Sequence, residues 1–129
     1  IESIKNLVLA GVGEVMILDG GVEAQSSDLE TNFFLDAQDV GKNRADAAAK
    51  RIRDLNPNVK IVIDNDAIEE KPASYFKGFD VVICCDCALS TQLQINAKCR
   101  QQNENGNKQP VFFASLTMGF DSFFFEDVG

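Results

Sequence analysis

The sequence predicts an α/β fold with a mostly parallel sheet, helices on both of its faces and a C-terminal antiparallel hairpin. Short apolar runs of strand length alternate with segments whose apolar residues recur at helical spacing. The last two apolar runs are separated only by a short turn containing a glycine, which is typical of a hairpin. With 129 residues, 45% hydrophobic and 25% charged, the chain has the composition of one ordinary globular domain.

The first half of the sequence predicts a helix followed by a strand–helix–strand unit. A helix over residues 1–10 precedes a strand over residues 14–18, which ends at Asp19 and a glycine turn. A second helix starts near residue 41, and a strand covers residues 59–63. The apolar stripe of this second helix consists of Ala45, Ala48, Ala49, Ile52 and Leu55.

The second half continues the alternation. A loop or helical turn at residues 74–76 leads to a strand over residues 79–84 and a helix over residues 89–102. The residues expected on the inner face of this helix are Leu93, Ala97 and Cys99.

The C-terminal segment predicts the hairpin. A turn at residues 103–109 is followed by strands over residues 111–116 and 120–125. Three consecutive phenylalanines, residues 123–125, lie in the last strand, and ordinary aromatic burial predicts that they belong to the core. A surface that binds lipid or peptide is the alternative for this run.

Strands alternating with helices indicate βαβ units, and therefore a Rossmann-like arrangement. In such folds the first helix follows a strand and a glycine-rich turn that binds phosphate. This sequence starts inside that helix. We therefore expect the first strand and the glycine-rich turn to be absent from this chain.

Charge and composition argue against several functions. The net charge of −8 disfavours nucleic-acid binding, because a surface of that sign repels phosphate backbones. No apolar run approaches the roughly 20 residues that span a bilayer, so no membrane association is expected. The absence of histidine excludes Ser-His-Asp and Cys-His catalysis by these residues alone.

The four cysteines are residues 84, 85, 87 and 99. The first three end an apolar run and are expected to be small buried strand residues in a reducing intracellular compartment. Cys84 and Cys87 form a CxxC pair, but a structural zinc site needs two such pairs or a pair with histidines. We therefore expect no metal site and no reactive thiol among the first three cysteines.

Several stretches together resemble the family of ubiquitin-like-protein activating enzymes, of the ThiF and MoeB type. The resemblance extends over nearly the whole chain in order and spacing, and within the family it is strongest to the small, cysteine-less subunit of the SUMO-activating enzyme. The stretches that carry it are residues 6–13, 17–19, 39–45, 55–57, 68–76 and 79–82.

The departures from the family pattern concern the nucleotide site. Active members follow the second strand with a Ser-Asn-Leu-x-Arg-Gln segment that handles ATP phosphates. Here Asp28 replaces the asparagine and Thr31 replaces the arginine. Arg44 stands where active members have a lysine. The exchange adds negative charge and removes a bidentate cation, so phosphate binding should be lost.

Two acidic positions of the family pattern remain. Asp19 ends a strand where active members use an acid on the ribose hydroxyls, and Asp86 follows the strand at the position of an acid that orients magnesium or the phosphates. With Arg44 they are the candidate remnants of a nucleotide pocket. Acids also commonly close strands at this edge of such sheets, so a purely structural role is the alternative for both.

The resemblance implies that residues 1–129 are part of the adenylation domain of an inactive half of a heterodimer. The partners would be a cysteine-bearing subunit and SUMO or a related modifier, with ATP and Mg²⁺ bound at the partner subunit's site. The SUMO branch implies a nuclear protein, with a cytoplasmic pool as the alternative. Residues 33–35 are candidates for the partner-facing surface, or equally for the core.

Three other functions stay open. The chain could be the corresponding half of a NEDD8- or ubiquitin-activating enzyme. It could be a self-sufficient enzyme that adenylates carrier proteins, although Asp28 and Thr31 argue against this. A dinucleotide-dependent oxidoreductase, in which Asp19 would bind the ribose, is the most distant alternative.

Overall fold

Helices and strands follow one another along the chain in the predicted order. The structure is a computed structural model, and it describes residues 1–101 and 108–129. The chain forms two compact units, Ile1–Ile68 and Glu69–Gly129. Within the described ranges, none of the helices has the length and apolar character needed to cross a membrane. The fold is α/β with parallel strand pairing in both units and a C-terminal hairpin, as predicted.

The first unit is a helix followed by a βαβ element. Helix α1 spans Glu2–Ala10, strand β1 spans Glu14–Leu18, helix α2 spans Arg44–Leu55, and strand β2 spans Lys60–Asp64. Strands β1 and β2 pair in parallel, with Val15 opposite Ile61 and Ile17 opposite Ile63. Two 3₁₀ turns, Ser26–Glu30 and Ala37–Asp39, lie in the connection between β1 and α2.

Local sequence fixes the ends of both helices. Helix α1 ends because Gly11 adopts φ 79°, a left-handed conformation that glycine accepts without steric cost. The side chain of Asn43 caps α2 by accepting a hydrogen bond from the backbone N–H of Asp46 at 2.9 Å. Just past α2, the amide of Asn56 donates to the carbonyl of Val8 at 3.1 Å, so the two helix ends are held together.

The predicted apolar stripe of α2 forms one side of the first unit's core. Its four central residues are buried, and Leu55 is half-buried. Of residues 33–35, Phe34 and Leu35 are buried in the core, while Phe33 is 51% exposed. The core cluster consists of Val8, Ala24, Phe34, Leu35, Ala48, Ile52, Val59 and Ile61.

The second unit contains a mixed sheet and one helix. Strand β3 spans Val81–Cys85, helix α3 spans Leu89–Arg100, strand β4 spans Val111–Met118, and strand β5 spans Asp121–Asp127. The strand order is β3-β4-β5, with β3 parallel and β5 antiparallel to β4. The 3₁₀ turn Ala73–Phe76 agrees with the predicted helical turn. The predicted turn at residues 103–109 falls mostly outside the described residues, as does the predicted helix end at residue 102.

The predicted inner face of α3 is wrong for two of its three residues. Leu93 is 62% exposed and Ala97 is exposed, whereas Cys99 is fully buried. The buried face of the helix instead consists of Gln92, Ile95 and Cys99. A polar residue can occupy this face because the Gln92 amide donates to the carbonyl of Cys87 at 2.7 Å.

The hairpin is confirmed, but the predicted burial of residues 123–125 is wrong. Phe123, Phe124 and Phe125 are 46%, 65% and 42% exposed. Strand β5 is the edge strand of its sheet, and successive side chains of a strand point to opposite faces. In the neighbouring strand β4, Phe112 and Ala114 alternate inward and are buried.

Candidate functional site

Asp19 and Arg44 are brought together by the connection between β1 and α2. Asp19 directly follows β1, and Arg44 is the first residue of α2, 25 positions further along. The backbone N–H of Arg44 donates to the carbonyl of Val22 at 2.8 Å, and that of Ala24 donates to the carbonyl of Lys42 at 2.8 Å. These bonds fold the connection back, so that the start of α2 lies beside the end of β1.

The Arg44 guanidinium binds two carboxylates. Its Nε donates to Asp19 Oδ2 at 2.7 Å and its Nη2 donates to Asp19 Oδ1 at 2.7 Å, which is the bidentate arrangement that planar guanidinium favours. Its Nη1 donates to Asp28 Oδ1 at 3.1 Å. The three side chains are only 20–31% exposed, so solvent screens these bonds incompletely. We call this group the Arg44 cluster.

The positive charge of Arg44 is compensated by the carboxylates of Asp19 and Asp28. The bonds to Asp19 and Asp28 raise the pKa of Arg44 above its ordinary value. The backbone N–H of Gln25, which donates to Asp28 Oδ2 at 2.8 Å, lowers the pKa of Asp28, and the Arg44 charge lowers it further. Two carboxylates and one guanidinium leave a net charge of −1. The Arg44 guanidinium is thus bonded to two carboxylates of its own unit.

Asp86 belongs to the second unit and serves another set of bonds. Its Oδ1 accepts from the backbone N–H of Thr117 at 2.8 Å and from the Thr117 hydroxyl at 3.0 Å. Its own N–H donates to the carbonyl of Ser115 at 2.8 Å. These bonds join the end of β3 to β4. Asp86 also has φ 53°, and among the described residues it is the one non-glycine residue with positive φ.

This geometry predicts how substitutions of Asp86 rank in stability. Asparagine keeps the acceptor oxygen and tolerates positive φ, so Asp86→Asn should change the unfolding free energy by less than about 1 kcal/mol. Valine loses both acceptor bonds and is strained at this φ, so Asp86→Val should cost about 3 kcal/mol. Glycine should fall between them. Urea unfolding of the three variants tests this ranking, and equal stability of the valine and asparagine variants would contradict the structural role.

A second charged cluster was not predicted from the sequence. Arg51 lies on α2. It donates to the carbonyl of Phe34 at 2.9 Å and to Asp39 Oδ2 at 2.8 Å, and it also binds Asp36. These bonds hold the segment that carries the buried Phe34 against the helix. The Arg51 bond, with that from the Asp36 backbone, lowers the pKa of Asp39 to about 2. The one sequence signal was the capping box formed by Asp36 and Asp39.

Comparison with known proteins identifies the family to which this chain belongs. The ThiF family model matches residues 1–126, so the chain belongs to the ThiF family, as its motifs predicted. SUMO-activating enzyme subunit 1 of Xenopus tropicalis is 32% identical over 128 residues, and that of Homo sapiens is 33% identical over 128 residues. Each alignment covers 99% of this chain and 35% of the relative.

A yeast relative has a different name. DNA damage tolerance protein RHC31 of Saccharomyces cerevisiae is 35% identical over 102 residues, covering 79% of this chain and 29% of the relative. The chain therefore spans about a third of the length of the curated relatives that it matches.

Proposed function

We propose that this chain is part of the non-catalytic subunit of a heterodimeric SUMO-activating enzyme. The observation that carries the proposal is the Arg44 cluster, in which a residue of the chain itself bonds both oxygens of the Asp19 carboxylate. The similarity to relatives named SUMO-activating enzyme subunit 1 supports the choice of branch. The subunit would complete the enzyme while its partner carries out the chemistry.

In this chain, three acidic residues at positions of the family's nucleotide site form hydrogen bonds with other groups of the protein. Both oxygens of Asp19, at the position of the ribose-binding acid, accept from Arg44. Asp28 caps a 3₁₀ turn and accepts from the same arginine. Asp86, in the second unit, accepts from Thr117. ATP binding would have to break charge-assisted hydrogen bonds, worth about 1.5–3 kcal/mol each, and would bring phosphates towards Asp28.

The remaining features of the proposal follow from placing the chain in the SUMO-activating branch of the family. The partner would be a cysteine-bearing subunit that binds ATP and Mg²⁺, and the modifier would be SUMO. The assembly would adenylate the C-terminal glycine of SUMO and then transfer it to the partner's cysteine as a thioester. We propose a nuclear location, with a cytoplasmic pool as the alternative, and no binding to nucleic acid or membranes.

ATP–pyrophosphate exchange tests the proposal directly. The full-length protein would be assayed alone, the cysteine-bearing subunit alone, and then the two together, each with SUMO, NEDD8 and ubiquitin in parallel. We expect exchange at background level for this protein alone and robust exchange only for the mixture with SUMO. A fluorescent ATP analogue should show no saturable binding to the protein alone.

The other outcomes identify the alternative functions. Exchange by this protein alone would contradict the non-catalytic role and would indicate a self-sufficient adenylating enzyme. Exchange by the mixture with NEDD8 or ubiquitin, and not with SUMO, would keep the subunit role and correct the branch. Binding of NAD without any exchange would favour the oxidoreductase.

A further inference from the structure

The connection between β1 and α2 carries much of the negative charge of the chain. We call residues 19–42 of this connection the strap. Six carboxylates and one lysine give the strap a net charge of −5, against −8 for the whole chain. Its two 3₁₀ turns are short, and its backbone hydrogen bonds mostly close within the strap itself, such as the bond from Asn32 to Asp28 at 2.8 Å. The strap therefore depends on side chains for its attachment to the rest of the first unit.

Two arginines of α2 attach the strap from one side of the helix. Arg44 and Arg51 are about two helical turns apart, and residues at that spacing share a face. In the Arg44 cluster, the guanidinium bonds Asp19 at the start of the strap and Asp28 further along it. The helix thus holds two separate points of the strap with one side chain.

Arg51 holds the far part of the strap in the same way. It donates to the carbonyl of Phe34 at 2.9 Å and to Asp39 Oδ2 at 2.8 Å, and it also binds Asp36. Asp39 is only 6% exposed, and it accepts a further bond from Lys42 at 3.2 Å. We call the contacts of Arg51 with these strap residues the Arg51 cluster.

The apolar anchors of the strap lie between the two clusters. Phe34 and Leu35 are 3% and 7% exposed and belong to the core of the first unit. In the chain they follow Asp28, which bonds Arg44, and precede Asp36, which bonds Arg51. A short segment that is held on both sides cannot leave the core while either cluster stays intact. The two clusters and the anchors should therefore separate from α2 together.

We propose that the strap is a conformational device that opens as one unit, releasing Arg44 and Arg51 together, while β1, α2 and β2 stay folded. Opening exposes Phe34 and Leu35 and makes the carboxylates of the Arg44 cluster accessible to other molecules. Segments with few long-range backbone hydrogen bonds are the ones that open below the free energy of global unfolding. This inference does not depend on the proposed function, because it uses only contacts within the first unit.

Hydrogen exchange of the full-length protein, measured by mass spectrometry, tests the proposal. Peptic peptides would report the part of the strap near each cluster, residues 26–32 and 34–39, together with α2. In wild type at neutral pH, we expect hydrogen-bonded amides of both parts to share one opening rate that is faster than that of α2. Urea should accelerate exchange in α2 more steeply than in the strap, because opening of the strap exposes less surface than global unfolding.

Two variants show whether the clusters open jointly. Arg44→Met and Arg51→Met each remove one set of charge-assisted hydrogen bonds from the closed strap. Either change should raise the exchange rate by about tenfold or more. Joint opening predicts that Arg51→Met accelerates residues 26–32 as much as residues 34–39, and that Arg44→Met accelerates both parts in the same way.

Arg53→Met is the matched control. This arginine lies on the same helix, but it donates to the carbonyl of Ile61 in β2 at 3.3 Å. Its loss should change exchange in the strap by less than about threefold. Asp36→Asn weakens the Arg51 cluster from the strap side, and it should accelerate both parts of the strap even if Arg51→Met does not fold.

Two results would overturn the proposal. One is acceleration confined to residues 34–39 in Arg51→Met and to residues 26–32 in Arg44→Met, since the two clusters would then open independently. The other is a wild-type strap that exchanges at the rate and with the urea dependence of α2. The strap would in that case open only when the whole unit unfolds.

Discussion

Replacing Arg44 by methionine is expected to lower the unfolding free energy of the full-length protein by about 2 kcal/mol, in urea titrations at neutral pH. Methionine retains much of the side-chain volume but removes three charge-assisted hydrogen bonds to Asp19 and Asp28. The two carboxylates then lie close together without a cation. Because the cluster is partly exposed, the loss should be smaller than for a fully buried ion pair.

Three further variants separate this loss from a general effect of removing charge. Lys50→Met removes an exposed cation from the same helix and should change stability by less than about 0.5 kcal/mol. Arg44→Lys keeps the charge without the bidentate geometry and should fall between wild type and Arg44→Met. Adding Asp28→Asn to Arg44→Met should recover part of the loss, since it removes the repulsion between the carboxylates. Equal stability of Arg44→Met and Lys50→Met would contradict the ion cluster.

The contribution of the Arg44 cluster should also depend on pH. The pKa of Asp28 is lower in the folded protein than its ordinary value, so the folded state binds fewer protons than the unfolded state. The stabilisation is therefore complete above about pH 4, the ordinary value for Asp, and is lost as the pH falls through the lowered folded value. In Arg44→Met the loss of stability on acidification should be shallower than in wild type.

Local patterns predicted the fold because they act over short distances. The stripe from Ala45 to Leu55 predicted α2 and its buried face. The left-handed backbone conformation of Gly11 explains where α1 ends, and the Asn43 cap explains where α2 begins. Two apolar runs separated by a short turn with a glycine predicted the β4–β5 hairpin. These signals need no knowledge of distant residues.

The predictions of burial were wrong where the burial of a side chain depends on residues far away in the sequence. On α3 the polar Gln92 is buried and its amide donates to the carbonyl of Cys87, whereas Leu93 is exposed. Residues 123–125 alternate between the two faces of β5, and strand patterning alone does not specify which faces are covered. The motif placed Asp19 and Arg44 in one candidate pocket, but only the structure showed that they bind each other.

Replacing Ile52 by alanine should lower the unfolding free energy more than replacing Arg44 by methionine does. Ile52 is fully buried in the core of the first unit, on the face of α2 that carries the apolar stripe. Truncation removes buried methyl and methylene groups and leaves a cavity that neighbouring side chains fill only in part. The expected loss of unfolding free energy is about 3 kcal/mol, and about 1 kcal/mol for Ile52→Val.

Leu93→Ala is the matched control, because it truncates an aliphatic helix residue that is 62% exposed. Alanine is a good helix former, so this change should stay within about 0.5 kcal/mol of wild type. Both variants would be measured in the full-length protein by urea unfolding. Leu93→Ala could instead cost as much unfolding free energy as Ile52→Ala. Leu93 would then be buried in the full-length protein, as the sequence pattern of α3 indicated, and another part of the protein would cover this face of the helix.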